Sequence, residues 1–203
     1  MEGEGHPTIF VVDDEPYALR AICRLLESAG YEVRSFDDPE AFLAVTSEET
    51  QGCALLDVQM PGLTGLELQE RLSAAGCLLP VVFLTGHGDV PTGVRAMKAG
   101  AIDFLLKPYA DDELFDAVTR ALARDAKQRS ARRQDLELAR RAESLTPREK
   151  QVFALVVTGM LNKQIAAALG TTEKTVKVHR ARVMEKMQAA TLADLVRMGE
   201  RLE

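Results

Sequence analysis

The segment Cys53-Ala-Leu-Leu-Asp57, followed by the turn Met60-Pro-Gly62, decides the fold. Four apolar residues that end in one carboxylate are typical of a buried parallel strand. Similar runs occur at residues 8–13, 32–36, 80–84 and 102–106, and amphipathic stretches with helical spacing separate them. Strands that alternate with helices in this way predict a five-stranded, parallel, doubly wound α/β domain with strand order 2-1-3-4-5.

Polar side chains stand where four of these strands end. The set consists of Asp13 and Asp14 after the first strand, Asp57 after the third, Thr85 after the fourth and Lys107 after the fifth. These strands are neighbours in the predicted order, so their carboxyl ends meet at the edge where such sheets bind ligands. Two carboxylates about 5 Å apart repel by about 3 kcal/mol at an effective dielectric of about 20. Three carboxylates at one edge therefore predict a bound cation, and oxygen ligands favour Mg²⁺.

This arrangement permits phosphoryl transfer to a carboxylate. One aspartate can act as the nucleophile, while Mg²⁺ and the lysine neutralise charge on the moving group. The Thr85 hydroxyl can donate to a phosphoryl oxygen once it arrives, which would shift a conformational equilibrium. Taken singly, Asp14 could be only a helix N-cap and Lys107 an ordinary turn residue. A haloacid-dehalogenase-type phosphatase also uses an aspartate and Mg²⁺, but it needs a second aspartate where this chain has Gln59.

The composition predicts a folded, cytoplasmic protein. Of the 203 residues, 46% are hydrophobic and 28% are charged, which excludes a mainly disordered chain. No apolar run reaches the roughly 18 residues that a membrane span needs, and the polar N-terminus does not resemble a signal peptide. Cys23, Cys53 and Cys77 are widely spaced, which predicts buried thiols in a reducing compartment, not disulfides or a zinc site.

The distribution of charge divides the chain in two. Residues 1–124 carry 9 Lys and Arg against 21 Asp and Glu, whereas residues 125–203 carry 16 against 10. We predict an acidic domain over residues 1–124, a helical linker over 125–143 and a basic domain over 144–203. The linker contains no Gly or Pro; a coiled coil is an alternative, but no sustained heptad supports it.

The basic domain is predicted to contain four helices. Thr146 and Glu149 mark the start of the first, and Asn162 is predicted to cap a short second helix that Gly170 closes. A longer basic helix follows the turn at Gly170, and this order is typical of a helix-turn-helix.

The longer helix has two distinct faces. Val176, Val183 and Met187 share one side and are expected in the core. The opposite stripe consists of Lys174, Lys177, Val178, Ala181 and Arg182. Its cations suit phosphates and guanine edges, and its small apolar groups suit thymine methyls. The alternative is a solvated charged face, but the charge of the domain and the order of its helices favour nucleic-acid binding.

Four segments, residues 11–15, 55–62, 84–91 and 98–108, resemble a response-regulator receiver domain, and Thr85–Pro91 resembles the FixJ/TodT/StyR branch of it. The resemblance covers about residues 7–124. It implies that Asp57 is the phosphoacceptor, that Lys107 contacts the phosphoryl group and that the Lys107–Pro108 bond is cis. Thr85 would be the switch hydroxyl and Phe104 the aromatic switch. Mg²⁺ would be bound by Asp13, Asp14, Asp57 and the backbone carbonyl of Gln59. The alternative for Phe104 is a plain core residue.

Residues 145–149, 162–166 and 174–179 resemble the LuxR/NarL-type DNA-binding domain. This resemblance, over about residues 144–200, implies that Lys177 and Val178 reach base edges and that Lys163, Thr175, Arg180 and Arg182 contact phosphates. His179 lies either at the edge of the core or near the DNA backbone. Ala181 stands where some relatives carry a polar or basic base-reading residue, so relatives do not predict the target sequence.

Together the two resemblances imply a two-component transcription regulator and not an enzyme acting on other substrates. A sensor histidine kinase would phosphorylate Asp57, the side near the fourth helix and fifth strand would favour a homodimer, and two helix-turn-helix units would bind double-stranded DNA and act on RNA polymerase. A second hypothesis is that the acidic domain masks the basic domain before phosphorylation. The alternatives are an aspartate-dependent phosphohydrolase, an RNA-binding antiterminator and a receiver that no longer takes phosphate.

Overall fold

A computed structural model describes residues 7–86 and 90–202. The acidic N-terminus and the middle of the Thr85–Pro91 motif lie outside the described residues. The chain forms two compact units, which divide between Arg129 and Ser130. The elements of the first are β1 Thr8–Val12, α1 Pro16–Ser28, β2 Glu32–Phe36, α2 Pro39–Val45, β3 Gly52–Asp57, α3 Gly65–Ala74, β4 Val81–Thr85, α4 Val90–Lys98 and β5 Asp103–Leu106; helix α5 Asp111–Glu143 contains the boundary.

The five strands form one parallel sheet in the order β2-β1-β3-β4-β5, which confirms the prediction. Every residue of β3 and β4 is buried, because helices cover both faces of the sheet. Alternate residues of a strand point to opposite faces. Leu56 accordingly packs with Phe83 in one core cluster, and Leu55 packs with Val82 in the other.

One buried contact fastens α5 to the start of β3. The Gly52 N–H donates to the carboxylate of Asp125 at 3.0 Å, and Asp125 is 3% exposed. Gly52 has a φ of +123°, and a Cβ at this position would lie 1.8 Å from the carbonyl oxygen of Thr8. Only glycine fits there. Asp125 lies in the first compact unit, which extends to Arg129.

The second unit contains α6 Pro147–Val157, α7 Asn162–Ala168, α8 Glu173–Met187 and α9 Leu192–Glu200. Thr146 caps α6 as predicted: its side chain accepts from the Glu149 N–H, and the Glu149 carboxylate accepts from the Thr146 N–H. The prediction for Asn162 is wrong, because Leu161 is the N-cap of α7 and Asn162 is the first helical residue. The side chain of Gln164 accepts a hydrogen bond from the N–H of this N-cap residue, Leu161.

The cysteines are free thiols, as predicted. Cys53 and Cys77 are buried, whereas Cys23 is only half-buried. Burial, with a smaller contribution from Asp125, raises the pKa of Cys53 to about 12, so this thiol is inert near neutral pH. Among the helices of the described residues, none combines the length and the apolar character that crossing a membrane requires.

Candidate functional site

The carboxyl edge of the sheet brings three of the predicted residues into direct contact. The Lys107 ammonium donates to Asp13 Oδ2 at 2.6 Å and to Asp57 Oδ1 at 2.8 Å. Asp13 is 1% exposed and Asp57 is 8% exposed. Asp13 directly follows β1, Asp57 ends β3 and Lys107 directly follows β5. They meet because parallel strands that are close in the sheet end at the same edge.

Backbone amides complete the hydrogen bonding of both aspartates. The Gln59 N–H donates to Asp57 Oδ2 at 2.7 Å, and the Glu15 N–H donates to Asp13 Oδ1 at 2.9 Å. Burial by itself would lower the pKa of Lys107, but the hydrogen bonds to Asp13 and Asp57 outweigh it and raise the pKa above its ordinary value. The lysine therefore stays charged and cancels one of the two carboxylate charges.

Asp14 lies next to this pair but is exposed. It is not the cap of α1, because the N-cap is Glu15 and no side chain caps that helix. The alternative that Asp14 is only a helix N-cap is therefore wrong.

The donor chemistry of the edge fits a hard divalent cation. In residues 7–86 and 90–202, no group of three His, Cys, Asp or Glu side chains is already arranged around a metal position. The predicted set nevertheless offers only oxygen donors: the carboxylates of Asp13, Asp14 and Asp57 and the backbone carbonyl of Gln59. One ammonium, from Lys107, faces the Asp13 and Asp57 carboxylates. Oxygen donors with surplus negative charge, one of them the exposed Asp14, suit Mg²⁺, which keeps several water ligands.

The residues predicted to form the switch lie on β4 and β5, the two strands that follow β3 in the sheet. Thr85 ends β4, is 1% exposed and pairs in register with Leu106 of β5. The Lys107 N–H donates to the Thr85 carbonyl at 2.7 Å, which ties the lysine to the end of β4. The Lys107–Pro108 peptide bond is cis, as the resemblance implied.

Phe104 is half-buried between the sheet and α4. Its ring centroid lies 6.4 Å from that of Phe83, and a Cβ at Gly93 of α4 would lie 3.6 Å from its ring. The ring packs against the core cluster on this side of the sheet, and part of it remains exposed. On the adjoining surface, Val94, Met97 and Leu106 are 46%, 47% and 53% exposed.

The sequence reasoning missed Gly65, which packs against the backbone of Asp57. A Cβ at Gly65 would lie 2.2 Å from the carbonyl oxygen of Asp57, and its N–H donates to the Val58 carbonyl at 3.0 Å. Any side chain there would push the backbone of Asp57. The available signal was a glycine, a poor helix former, directly after the Thr64 cap.

The second unit presents the predicted stripe on α8. Val176, Val183 and Met187 have no exposed surface, which confirms the predicted core face. The residues of the stripe, Lys174, Lys177, Val178, Ala181 and Arg182, are all exposed. Val178 exposes 47% of its surface, so an apolar group stands among cations on an open helix face.

The other residues predicted near DNA differ in their surroundings. Lys163 is exposed on α7. Thr175 is half-buried, and its hydroxyl lies 2.9 Å from the hydroxyl of Thr172, the N-cap of α8. His179 is half-buried with a fully buried Nδ1, which favours its position at the edge of the core. Arg180 is half-buried and donates from Nη1 to Asn162 Oδ1 at 3.0 Å.

An ion pair between the buried Glu149 and the half-buried Lys186 holds α6 against α8. Lys186 donates to Glu149 Oε2 at 2.6 Å, and Glu149 is 2% exposed. The hydrogen bonds from Lys186 and from the Thr146 N–H lower the pKa of Glu149 to about 2. Sequence analysis identified Glu149 only as part of a cap, because its partner lies 37 positions away.

Comparison with known proteins identifies a family for each of the two domains. The model of the response regulator receiver domain matches residues 9–119, and that of bacterial regulatory proteins of the luxR family matches residues 143–199. Nodulation protein W of Bradyrhizobium diazoefficiens is 48% identical over 96% of this chain and 86% of its own length. FixJ of the same species, a transcriptional regulatory protein, is 44% identical over 99% of this chain and 97% of its own.

Two solved structures extend the comparison. The response regulator StyR superposes with a TM-score of 0.85 at 47% identity, over 97% of this chain and all of that one. Full-length FixJ from B. japonicum superposes with a TM-score of 0.58 at 41% identity, over 96% of each chain.

Proposed function

The chain belongs to the two-component response regulators that combine a receiver domain with a LuxR-type DNA-binding domain, and from this premise we propose how its two sites cooperate. The protein is a transcription regulator, not a metabolic enzyme. We propose that a sensor histidine kinase phosphorylates Asp57 and that the phosphorylated protein dimerises and binds an operator. Residues 1–124 would receive the phosphoryl group, 125–143 would connect the domains and 144–203 would bind DNA.

The observation that carries this proposal is the pairing of Lys107 with Asp57 at a buried sheet edge. An oxygen of Asp57 attacks phosphorus, the bond from phosphorus to the histidine nitrogen breaks, and an aspartyl phosphate forms. The Gln59 N–H holds the carboxylate in place through Oδ2. The Lys107 ammonium, next to Oδ1, is placed to stabilise negative charge on the incoming group.

The metal would be held by Asp13, Asp14, Asp57 and the backbone carbonyl of Gln59. When bound, Mg²⁺ supplies positive charge that offsets the repulsion between the carboxylates and the phosphoryl oxygens. Asp13 is 1% exposed, and buried carboxylates in proteins are paired with cations or coordinate metals. Loss of the phosphate by hydrolysis in the same site would return the protein to its resting state.

The proposed switch runs from Thr85 to the surface of α4 and β5. The Thr85 hydroxyl would donate to a phosphoryl oxygen, a bond that exists only after phosphorylation and therefore favours one of two states. Movement of Thr85 would let the half-buried Phe104 turn inward. The half-exposed apolar residues on this side, Val94, Met97 and Leu106, are suited to a homodimer contact.

The output would be DNA binding by α8. We propose that Lys177, Val178 and Ala181 face base edges and that the phosphate contacts are Lys163, Lys174, Thr175, Arg180 and Arg182. A dimer would place two such helices in successive major-groove turns of a two-fold site. RNA polymerase is the proposed final partner, and the cytoplasm, where bacterial DNA is found, the proposed location.

Intact mass and sedimentation after treatment with acetyl phosphate and Mg²⁺ test this function. We expect one phosphoryl adduct and a shift to dimer, both lost in Asp57→Asn. Asp116→Asn is the matched control, because Asp116 is an exposed aspartate of α5. An adduct that survives in Asp57→Asn, or an adduct that leaves the protein monomeric, would refute the proposed coupling.

A further inference from the structure

Arg180 occupies an unusual place on α8. It stands on the flank of the helix between the buried face of Val176 and the exposed face of Lys177. Its Nη1 donates to the side-chain oxygen of Asn162, at the start of α7. Within residues 7–86 and 90–202, the guanidinium donates this hydrogen bond and forms no ion pair with a carboxylate. Its positive charge is therefore held in place but not cancelled.

Asn162 is free for this contact because another residue caps α7. Asparagine at a helix start ordinarily accepts from the backbone, but here Gln164 accepts from the Leu161 N–H at 2.8 Å. The carboxamide oxygen of Asn162 faces α8 instead. Asn162 is the first residue of α7, after the N-cap Leu161, so capping of this helix does not explain its presence.

In the same unit, Lys186 is bound by a carboxylate, whereas Arg180 is bound by an amide oxygen. Lys186 is held by the carboxylate of Glu149 at 2.6 Å, an arrangement that stabilises the fold and neutralises the lysine. An amide oxygen orders the arginine without neutralising it. Ordering matters because a free arginine side chain loses rotamer entropy when it binds a phosphate.

We propose that Asn162 is a positioning residue for DNA binding, which holds the charged guanidinium of Arg180 ready for one phosphate at the edge of the recognition face. The inference rests on the proposed function and deepens it, since it assigns a role to a residue of α7 that does not itself contact DNA. Asn162→Ala should leave the phosphate contact in place but make it less favourable. We expect affinity to fall about 3- to 10-fold, from the entropy of one freed side chain.

The salt dependence of binding separates positioning from direct contact. The magnitude of the slope of log K against log salt should fall by about 1 in Arg180→Gln, because one phosphate contact is lost. It should stay unchanged in Asn162→Ala. In Asn162→Asp, the acceptor is kept but its charge pairs with Arg180, so the slope should fall as in Arg180→Gln.

The experiment uses the full chain and a 30-base-pair duplex of mixed sequence, with anisotropy recorded between 50 and 200 mM salt. The double variant Asn162→Ala/Arg180→Gln should bind as Arg180→Gln alone does. Arg140→Gln, which removes one exposed charge of α5, controls for net charge. Thermal unfolding checks each variant, and Asn162→Asp retains the hydrogen bond if Asn162→Ala is too unstable to use.

An unchanged salt slope in Arg180→Gln would overturn the inference, because Arg180 would then be structural only. Additive losses in the double variant would overturn it as well, because Asn162 would act independently of Arg180. These outcomes differ from failure of the proposed function, in which the wild-type chain would not bind the duplex and Lys177→Gln or Arg182→Gln would change nothing.

Discussion

Replacing Glu149 by glutamine tests how the second unit holds α8. The Lys186 ammonium lies 2.6 Å from Glu149 Oε2, and the two side chains are 35% and 3% exposed. Glutamine keeps an oxygen for the Thr146 N–H but loses the charge that faces the lysine. A hydrogen bond between charged groups contributes about 1.5–3 kcal/mol, and the partly exposed lysine reduces this through solvent screening. We expect Glu149→Gln to lower the free energy of unfolding by about 2 kcal/mol at pH 7.

The pH dependence has a definite sign. The pKa of Glu149 is about 2 in the folded chain, below its ordinary value of 4.5. A lowered carboxyl pKa contributes stability that is present above pH 4.5 and is lost as the pH falls through about 2. The wild type should therefore lose stability on acidification in this window, and the deficit of Glu149→Gln should shrink with it.

Hydrogen exchange of the amides in α6 and α8 provides the assay, because it reports opening of these helices separately from the receiver. Glu185→Gln is the matched control, since Glu185 is an exposed neighbour on α8. A deficit of the same size at pH 7 and pH 2.5 would refute the electrostatic reasoning, as would no deficit at pH 7.

Four further predictions follow from the two units. Gly65→Ala should slow labelling of Asp57 by acetyl phosphate at least 10-fold, because its Cβ would lie 2.2 Å from the Asp57 carbonyl oxygen; wild-type initial rates by intact mass would contradict this. Removal of Mg²⁺ with EDTA should abolish the same labelling and Mg²⁺ should restore it, whereas undiminished labelling in EDTA would exclude the metal. Asp125→Ala should cost the first unit about 1–3 kcal/mol in urea unfolding, since the Gly52 N–H loses its acceptor; an unchanged midpoint would refute it. Lys177→Ala should relax base preference at one operator position, whereas Lys163→Ala should weaken all sequences alike, and binding arrays distinguish the two.

Much of the first unit was predictable because its signals are local. A strand such as β3 is an apolar run that any window of the sequence contains, and the place of Asp57 at its end follows from the run itself. The capping of α6 by Thr146 likewise depends on residues three positions apart. The exposed stripe of α8 follows from helical periodicity.

The misplaced start of α7 shows where such reasoning fails. Asn162 is a good cap by residue type, but Leu161 takes that position because the side chain of Gln164 satisfies its N–H. The side chain of Asn162 instead contacts Arg180, which lies 18 positions away. Residue propensities do not predict a contact between such distant positions.

The sequence by itself determined the order of strands and helices, the two-domain organisation of charge and the residue types at the strand ends, because each depends on neighbours along the chain. The tertiary structure decided which of those residues touch. Asp13 and Lys107 lie 94 positions apart and meet at 2.6 Å; Gly52 and Asp125 lie 73 apart and share a buried hydrogen bond. Glycine is required at position 65 because the Asp57 carbonyl packs directly against it. Such contacts depend on close packing between distant segments, where a single methyl group is too large.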